Sequence, residues 1–162
     1  AAEAGHSREG AARLQEALSA VGATGVRFWS PFYTALLADV HRRAGDGDRA
    51  LEVLGQALEH VDRTDERVYE AELHRLKGTV LLSLTPSPSD EAEVCLRRAL
   101  TIARRQAARL WELRAATDLA RLWQAQGKPQ EARDLLEPVY AWFTEGFDTP
   151  DLAGAKALLE AL

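Results

Sequence analysis

The feature that most constrains the fold is an apolar stripe that occurs four times at nearly constant spacing. Each copy has a small residue, Leu four positions later, a small or modest residue seven positions later and a large apolar residue eight positions later. The copies are Gly10, Leu14, Ala17, Leu18; Ala50, Leu54, Ala57, Leu58; Ala92, Leu96, Ala99, Leu100; and Ala132, Leu136, Val139, Tyr140. Positions spaced in this way lie on one face of an α-helix. The copies begin 40, 42 and 40 residues apart, which indicates a helical repeat.

The loops ahead of the stripes share a position but not a chemistry. Five residues before each small residue stand Gly5, Gly45, Ser87 and Gly127. The acidic loop "GDGDRA" is the one that raises the question of an ion or phosphate site. A calcium loop needs oxygen ligands at alternating positions and a closing Glu about twelve residues on, but Ala50 takes the alternating position after Asp46 and Asp48. We therefore interpret these loops as turns, in which Gly ends one helix and Asp or Ser caps the next.

A second helical run precedes three of the stripes, at about residues 31–44, 66–84 and 109–126. Each run has a small residue facing its partner helix, so that two backbones approach closely. These small residues are Ala38, Gly78 and Ala120. No sustained alternation of β-branched residues predicts a strand. The sequence thus predicts an all-α fold, a right-handed superhelical array of antiparallel helix pairs with a C-terminal capping helix.

We expect a single domain of about 3.5 repeats. Its parts are an orphan second helix within residues 1–28, three repeats at 29–64, 65–107 and 108–146, and the capping helix at 147–162. The chain contains no Met and opens on a helix without a partner before it, so we interpret it as a fragment of a larger protein. The apolar stripe of the first helix, residues 7–20, would be partly uncovered, which favours self-association.

Composition narrows the class of protein. The chain is 46% apolar and 28% charged with a net charge of -5, a balance typical of a globular domain. Its net charge argues against a nucleic-acid partner. No apolar stretch approaches the ~18 residues of a membrane span, and the start "AAEAGHSREG" lacks the features of a signal peptide. We expect a cytoplasmic protein.

No motif predicts catalysis or metal binding. The histidines fall in four different helices, without the i, i+4 pairing that is typical of zinc ligands; they are His6, His41, His60 and His74. Cys95 lies in an apolar stripe and is predicted to be buried. We interpret the many Asp and Glu residues as solvated helix faces. We therefore predict no enzymatic activity, no cofactor and no metal.

The tryptophans have two interpretations. They are Trp29, Trp111, Trp123 and Trp142. The favoured one is that they fill wide gaps between helix layers, and the alternative is a stacking platform for bases or sugars.

The helical runs resemble tetratricopeptide repeats, which place two helices in ~34 residues with small residues at close-packing positions. The matching segments are "LLADVHRRAGDGDRALEVLGQAL", "RLKGTVLL" with "DEAEVCLRRAL", and "LARLWQAQGKPQEARDLLEPVY". The longer period resembles the extended repeats of large bacterial signalling regulators. "EAELHRLKGTVLL" and "PVYAWFTEGFDTPDLAGAKALLEAL" are similar to the C-terminal end of proteins that join a signalling ATPase to an adenylate or guanylate cyclase or a transcriptional-regulator domain.

This resemblance implies that the first helix of each pair lines a concave face. The positions it selects are Asp39, Arg42 and Arg43; Glu72, Arg75 and Thr79; and Arg114, Thr117, Arg121 and Gln124. The set has five arginines against two acids. Arginine presents a planar fork that suits carboxylates. We expect a groove for an acidic or carboxylate-bearing protein segment; the alternatives are an ordinary solvated face or one covered by other domains of the parent protein.

Two functions stay open at this point. The first is a non-enzymatic protein-interaction module, the regulatory C-terminal part of a bacterial signalling protein, which binds a peptide segment or other domains of its parent. The second is a small-molecule effector-sensing domain that uses the concave face.

Overall fold

The computed structural model of the protein describes residues 30–84 and 90–162, together with residues 10, 13, 16 and 20. The two continuous ranges contain seven α-helices and no strand, which confirms the all-α prediction for this part of the chain. The helices are α1 (Ser30–Arg43), α2 (Gly47–Thr64), α3 (Glu70–Leu84), α4 (Asp90–Arg105), α5 (Arg109–Ala125), α6 (Pro129–Ala141) and α7 (Pro150–Ala161). None of them has the length and apolar character that crossing a membrane requires.

The helices pack in a regular order. Each of the first six contacts the next one in the chain. Among these helices, contacts between elements that are not consecutive join only α1 to α3, α3 to α5 and α5 to α7. The odd-numbered helices therefore form a continuous row. Each even-numbered helix packs against its two odd-numbered neighbours.

The repeated stripe forms the core. Leu54, Leu96 and Leu136 occupy equivalent positions in α2, α4 and α6, and all three are fully buried. The small residues that begin these stripes, Ala50, Ala92 and Ala132, are fully buried as well. The predicted close-packing residues Ala38, Gly78 and Ala120 are also buried, which confirms the register. Gly10, the corresponding residue of the first stripe, is helical but exposed, so it does not share this packing.

The acidic loop that follows α1 is a turn with a cap, as predicted. Gly45 has a φ of 79°, a left-handed conformation that glycine adopts without steric cost. The Asp46 side chain accepts a hydrogen bond from the backbone N–H of Arg49 at 3.4 Å, at the N-terminus of α2. Gly127 has the same left-handed conformation between α5 and α6, with a φ of 74°.

The turn between α4 and α5 has the same geometry without a glycine. Ala107 takes the left-handed conformation there, with a φ of 53°. The amide of the following residue, Ala108, donates to the carbonyl of Ala103 at 2.9 Å. After Gly45 and Gly127 the next amide also donates to the carbonyl five residues earlier, at 2.9 Å in both turns. The boundary that the repeat period predicts at residues 106–108 is confirmed.

The helix limits differ from the predictions mainly at the N-terminus of α3. The run predicted to begin near residue 66 begins at Glu70, because residues 65–69 form the connection from α2. The closing helix begins at Pro150, with Thr149 as its N-cap residue; the Thr149 hydroxyl donates to the carbonyl of Gly146 and does not cap an amide. The predictions for Gly5, His6, Ser87 and Trp29, and for the helix at residues 7–20 as a whole, lie outside the described residues.

Candidate functional site: a cavity along the odd-numbered helices

The row of odd-numbered helices borders a cavity of about 540 Å³. Its wall comes from α1, α3, α5 and α7, with Tyr69 added from the residue just ahead of α3. The sequence-predicted residues on this wall are Asp39, Arg42, Arg43, Glu72, Arg75, Thr79, Arg114, Thr117 and Arg121. Gln124 is not on the wall. Its side-chain amide donates to the carbonyl of Ala161 at 3.2 Å, where it links α5 to the end of α7.

At the α1 end of the cavity, two arginines share one carboxylate. Asp39 accepts hydrogen bonds from Nε and Nη2 of Arg42, at 3.0 and 2.8 Å, and from Nε of Arg43 at 2.7 Å. Burial raises the pKa of the Asp39 carboxyl, but the hydrogen bonds and charges of the two guanidinium groups outweigh it and hold the pKa below its usual value. Asp39 is therefore ionised at neutral pH.

In the middle of the cavity, Arg75 holds two carboxylates. Its Nε and Nη2 donate to the two oxygens of Glu72, each at 2.7 Å, and its Nη1 donates to Asp118 on α5. The side chain of Arg75 is only 16% exposed. Burial lowers the pKa of Arg75, and Glu72 and Asp118 together raise it above the usual value. This arginine therefore links α3 to α5.

The ion pairs continue from Arg75 in both directions. Arg121 donates to the second oxygen of Asp118 at 3.0 Å. Arg114 donates to Asp151 on α7 at 2.9 Å through Nε and reaches Glu72 at 3.5 Å through Nη1. One network thus joins α3, α5 and α7 along the wall of the cavity.

The charge balance of the wall differs from the sequence-based expectation. The predicted set contained two acids, and the structure adds Asp118 and Asp151, so the wall has five arginines and four carboxylates. Asp118 lies four residues after Arg114 and three before Arg121, and this spacing on one helix face was a signal in the sequence. Asp151 had no such signal, because only the packing of α7 on α5 brings it to Arg114.

An aromatic row forms another part of the wall. The ring centroids of Phe32 and Tyr69 are 5.2 Å apart, and those of Tyr69 and Trp111 are 6.0 Å apart. The guanidinium of Arg114 lies over Trp111, 5.1 Å from the ring centroid. Leu36, one turn after Phe32, also lines the cavity and is 44% exposed. Sequence reasoning did not place these apolar residues in the site.

The interpretation of the tryptophans as gap fillers needs correction. Trp111 lies on the cavity wall, and Trp142 is 55% exposed, with Arg109 over its ring. Trp123 on α5 is half-buried, and its Nε1 donates to Glu93 on α4 at 3.1 Å.

The interpretation of the acidic residues as solvated is wrong for three glutamates. Glu70, Glu72 and Glu112 are all buried. Glu112 accepts from Arg104 at 3.0 Å and from Arg109 at 2.7 Å. Arginines on the same and on neighbouring elements form ion pairs with these carboxylates, which offsets the cost of taking them out of water.

Cys95 is buried, as predicted, and burial raises the pKa of its thiol. Within residues 30–84 and 90–162, no three His, Cys, Asp or Glu side chains are grouped so that they could hold a metal ion.

No protein-family model matches the chain, and no curated protein matches it in sequence.

Proposed function

We propose that the chain is a non-enzymatic helical-repeat module, similar to tetratricopeptide repeats, that binds a protein segment in the cavity along α1, α3, α5 and α7. The observation that carries this proposal is that the cavity wall consists of residues from the odd-numbered helices and of the residue just ahead of α3. In a repeat protein, equivalent helices of successive repeats line one continuous concave surface.

We infer that the helix pairs form a right-handed superhelical array. The repeat period of the stripes and the row of contacts along the odd-numbered helices support it. A crystal structure tests the handedness directly. A closed bundle, or an array that coils in the left-handed sense, would contradict the inference.

The side chains on the wall suit recognition. Arginine and aromatic residues contribute most of the binding energy in many interfaces. Here they are attached to packed helices, and the arginines are held by fixed carboxylates. A surface that is already ordered loses little conformational entropy on binding.

The experiment compares two variants with the same substitution. Thr79→Trp places a large ring on the cavity wall, and Glu59→Trp places the same ring on the exposed face of α2. A displayed library of random peptides is selected on the unmodified protein, and the affinities of the enriched peptides are measured by calorimetry. We expect at least a tenfold loss for Thr79→Trp and no change for Glu59→Trp. Failure to enrich any peptide, or equal affinity for both variants, would overturn the proposal.

The size of the cavity favours a small-molecule effector as the second candidate. Its volume of about 540 Å³ falls within the range of about 300–1,000 Å³ that is typical of ligand pockets. A metabolite panel screened by thermal shift tests this alternative. A compound that raises the melting temperature of the protein and of Glu59→Trp, but not of Thr79→Trp, would support it.

On the sequence resemblance alone, we propose that the module is a regulatory part of a bacterial signalling protein. The native coding sequence around these residues is the test. An ATPase, cyclase or transcriptional-regulator domain encoded in the same chain would support this context, and a chain with none of these domains would contradict it.

A further inference from the structure

The positive charge of the cavity wall is concentrated at one end. The network along α3, α5 and α7 joins three arginines to three carboxylates. Its members are Arg75, Arg114 and Arg121 with Glu72, Asp118 and Asp151. On α1, by contrast, Arg42 and Arg43 share the single carboxylate of Asp39. The surplus positive charge of the wall therefore lies on α1.

Arg43 on α1 is also the most accessible of the five arginines on the wall. The side chain of Arg43 is 67% exposed, and among the described residues only Asp39 accepts a hydrogen bond from it, through Nε. A guanidinium has five N–H donors, so Arg43 retains the donors of its two terminal nitrogens for a second carboxylate. Arg75 is 16% exposed and already holds two carboxylates, so an incoming anion would have to displace one of them.

An apolar subsite lies on the same helix. Phe32 and Leu36 are one turn apart on α1, line the cavity and are 39% and 44% exposed. Tyr69 and Trp111 extend this surface onto the neighbouring helices. An aromatic or long aliphatic side chain of a ligand packs against large apolar side chains of this kind on a cavity wall.

Helix geometry fixes the distance between the two subsites. From Leu36 to Arg42 and from Phe32 to Arg43, a rise of 1.5 Å per residue gives about 9 and about 16 Å along the axis of α1. An extended peptide advances about 3.3 Å per residue. The two subsites are therefore about three to five peptide residues apart, a span that suits a chain segment better than a compact metabolite.

We propose that the ligand of the cavity is an extended peptide with an aromatic or large aliphatic residue and, three to five residues away, an Asp, a Glu or a terminal carboxylate. The carboxylate binds Arg42 and Arg43, and the apolar side chain packs against Phe32, Leu36 and the adjoining rings. This inference rests on the proposed function, because it assigns a ligand class to the same cavity.

The test uses the tightest-binding peptide from the displayed library and its analogue in which each carboxylate is replaced by the amide. Both are titrated against the unmodified protein, Arg43→Ala and Arg121→Ala. The matched variants remove an arginine that is 67% exposed and one that is 53% exposed, respectively. Circular dichroism melts check that both variants fold.

We expect the amide analogue to bind the unmodified protein about three- to fivefold more weakly than the acid peptide, the range of an exposed ion pair. Arg43→Ala, which keeps only Arg42 as a partner for the carboxylate, should reduce that difference, and Arg121→Ala should preserve it. The inference would be overturned if the tightest-binding peptide lacked a carboxylate three to five residues from a large apolar side chain. It would also be overturned if the two variants lost the same affinity for the acid peptide. Either result would leave the proposed function intact. The absence of any binding peptide would overturn both.

Discussion

Gly78 on α3 lies directly against Leu96 on α4. A Cβ atom at Gly78 would be 2.8 Å from Cγ of Leu96 and 3.1 Å from the backbone oxygen of Ala92. Carbon atoms in contact are normally about 3.5–4.0 Å apart. The two helices are therefore packed so closely at this point that only glycine fits without a shift.

Gly78→Ala should destabilise the protein. The added methyl group forces Leu96 or the α4 backbone to move, at a cost of roughly 1–3 kcal/mol. Alanine has a better helix propensity than glycine by about 1 kcal/mol, so we expect a net loss of up to about 2 kcal/mol. Chemical unfolding monitored by circular dichroism measures the change.

Gly55→Ala is the matched control, since Gly55 lies within α2 and a Cβ there meets nothing within 4 Å. This variant should be more stable than the unmodified protein, by about 0.5–1 kcal/mol. If Gly78→Ala gained as much stability as Gly55→Ala, the close approach of α3 and α4 would be contradicted.

Ala107→Gly should stabilise the turn between α4 and α5. Ala107 has a φ of 53°, and the left-handed conformation costs a non-glycine residue roughly 1–2 kcal/mol. Glycine removes this strain but gives the unfolded chain more conformational entropy, worth about 0.4–1 kcal/mol. A net gain of about 0.5–1 kcal/mol in the free energy of unfolding is expected.

The neighbouring Ala108 provides the control for this turn, because its φ is -86°. Ala108→Gly relieves no strain and should destabilise the protein. Unfolding in urea measures the free energy of unfolding of both variants. The prediction for Ala107 would be wrong if both substitutions lowered stability equally.

The repeat period carried most of the fold information. The turn at Ala107 has neither Gly nor Pro, yet its position follows from the phase of the stripes, because the stripes mark which helix face must be buried. The start of α3 was less predictable. Residues 66–69 have no strong helix breaker, and their place in a connection depends on how α2 and α3 pack.

The candidate site was predictable in position but not in charge. The arginines come from helix faces that the repeat register defines, so their presence on one wall follows from the sequence. The ion pairs of Arg75 with Asp118 and of Arg114 with Asp151, however, are contacts across helices. Such pairings depend on tertiary structure, and they change a strongly positive groove into one that is close to balanced.

His74 on α3 should make stability fall as the pH decreases below 6.5. Burial lowers the pKa of its imidazole from 6.5 to about 4; the charges of Arg98 and Lys77 add to this effect, and Glu70 and Asp62 oppose it. The unfolded chain therefore binds a proton at higher pH than the folded chain does. The stabilisation from neutral His74 is complete above pH 6.5 and is lost progressively toward pH 4.

Melting temperatures measured from pH 7 to pH 5 for the unmodified protein and His74→Gln test this expectation. The variant should show the flatter pH profile. Asp39 and Glu93, whose pKa values are lowered in the folded protein, titrate at lower pH and are present in both proteins. Parallel profiles would show that His74 is not the group responsible.

Arg75→Ala should destabilise the protein far more than Arg121→Ala does, although both arginines donate to Asp118. Removing Arg75 leaves Glu72, whose side chain is 9% exposed, without its bidentate partner. Breaking a buried ion pair in this way costs about 3–5 kcal/mol. Arg121 is 53% exposed, and an exposed pair contributes under about 1 kcal/mol. Unfolding in urea measures the stability of both single variants. The double variant Arg75→Met with Glu72→Leu removes both charges of the pair. It should recover most of the stability if the loss comes from the unpaired carboxylate. Equal losses for the two single variants would contradict the structural role of Arg75.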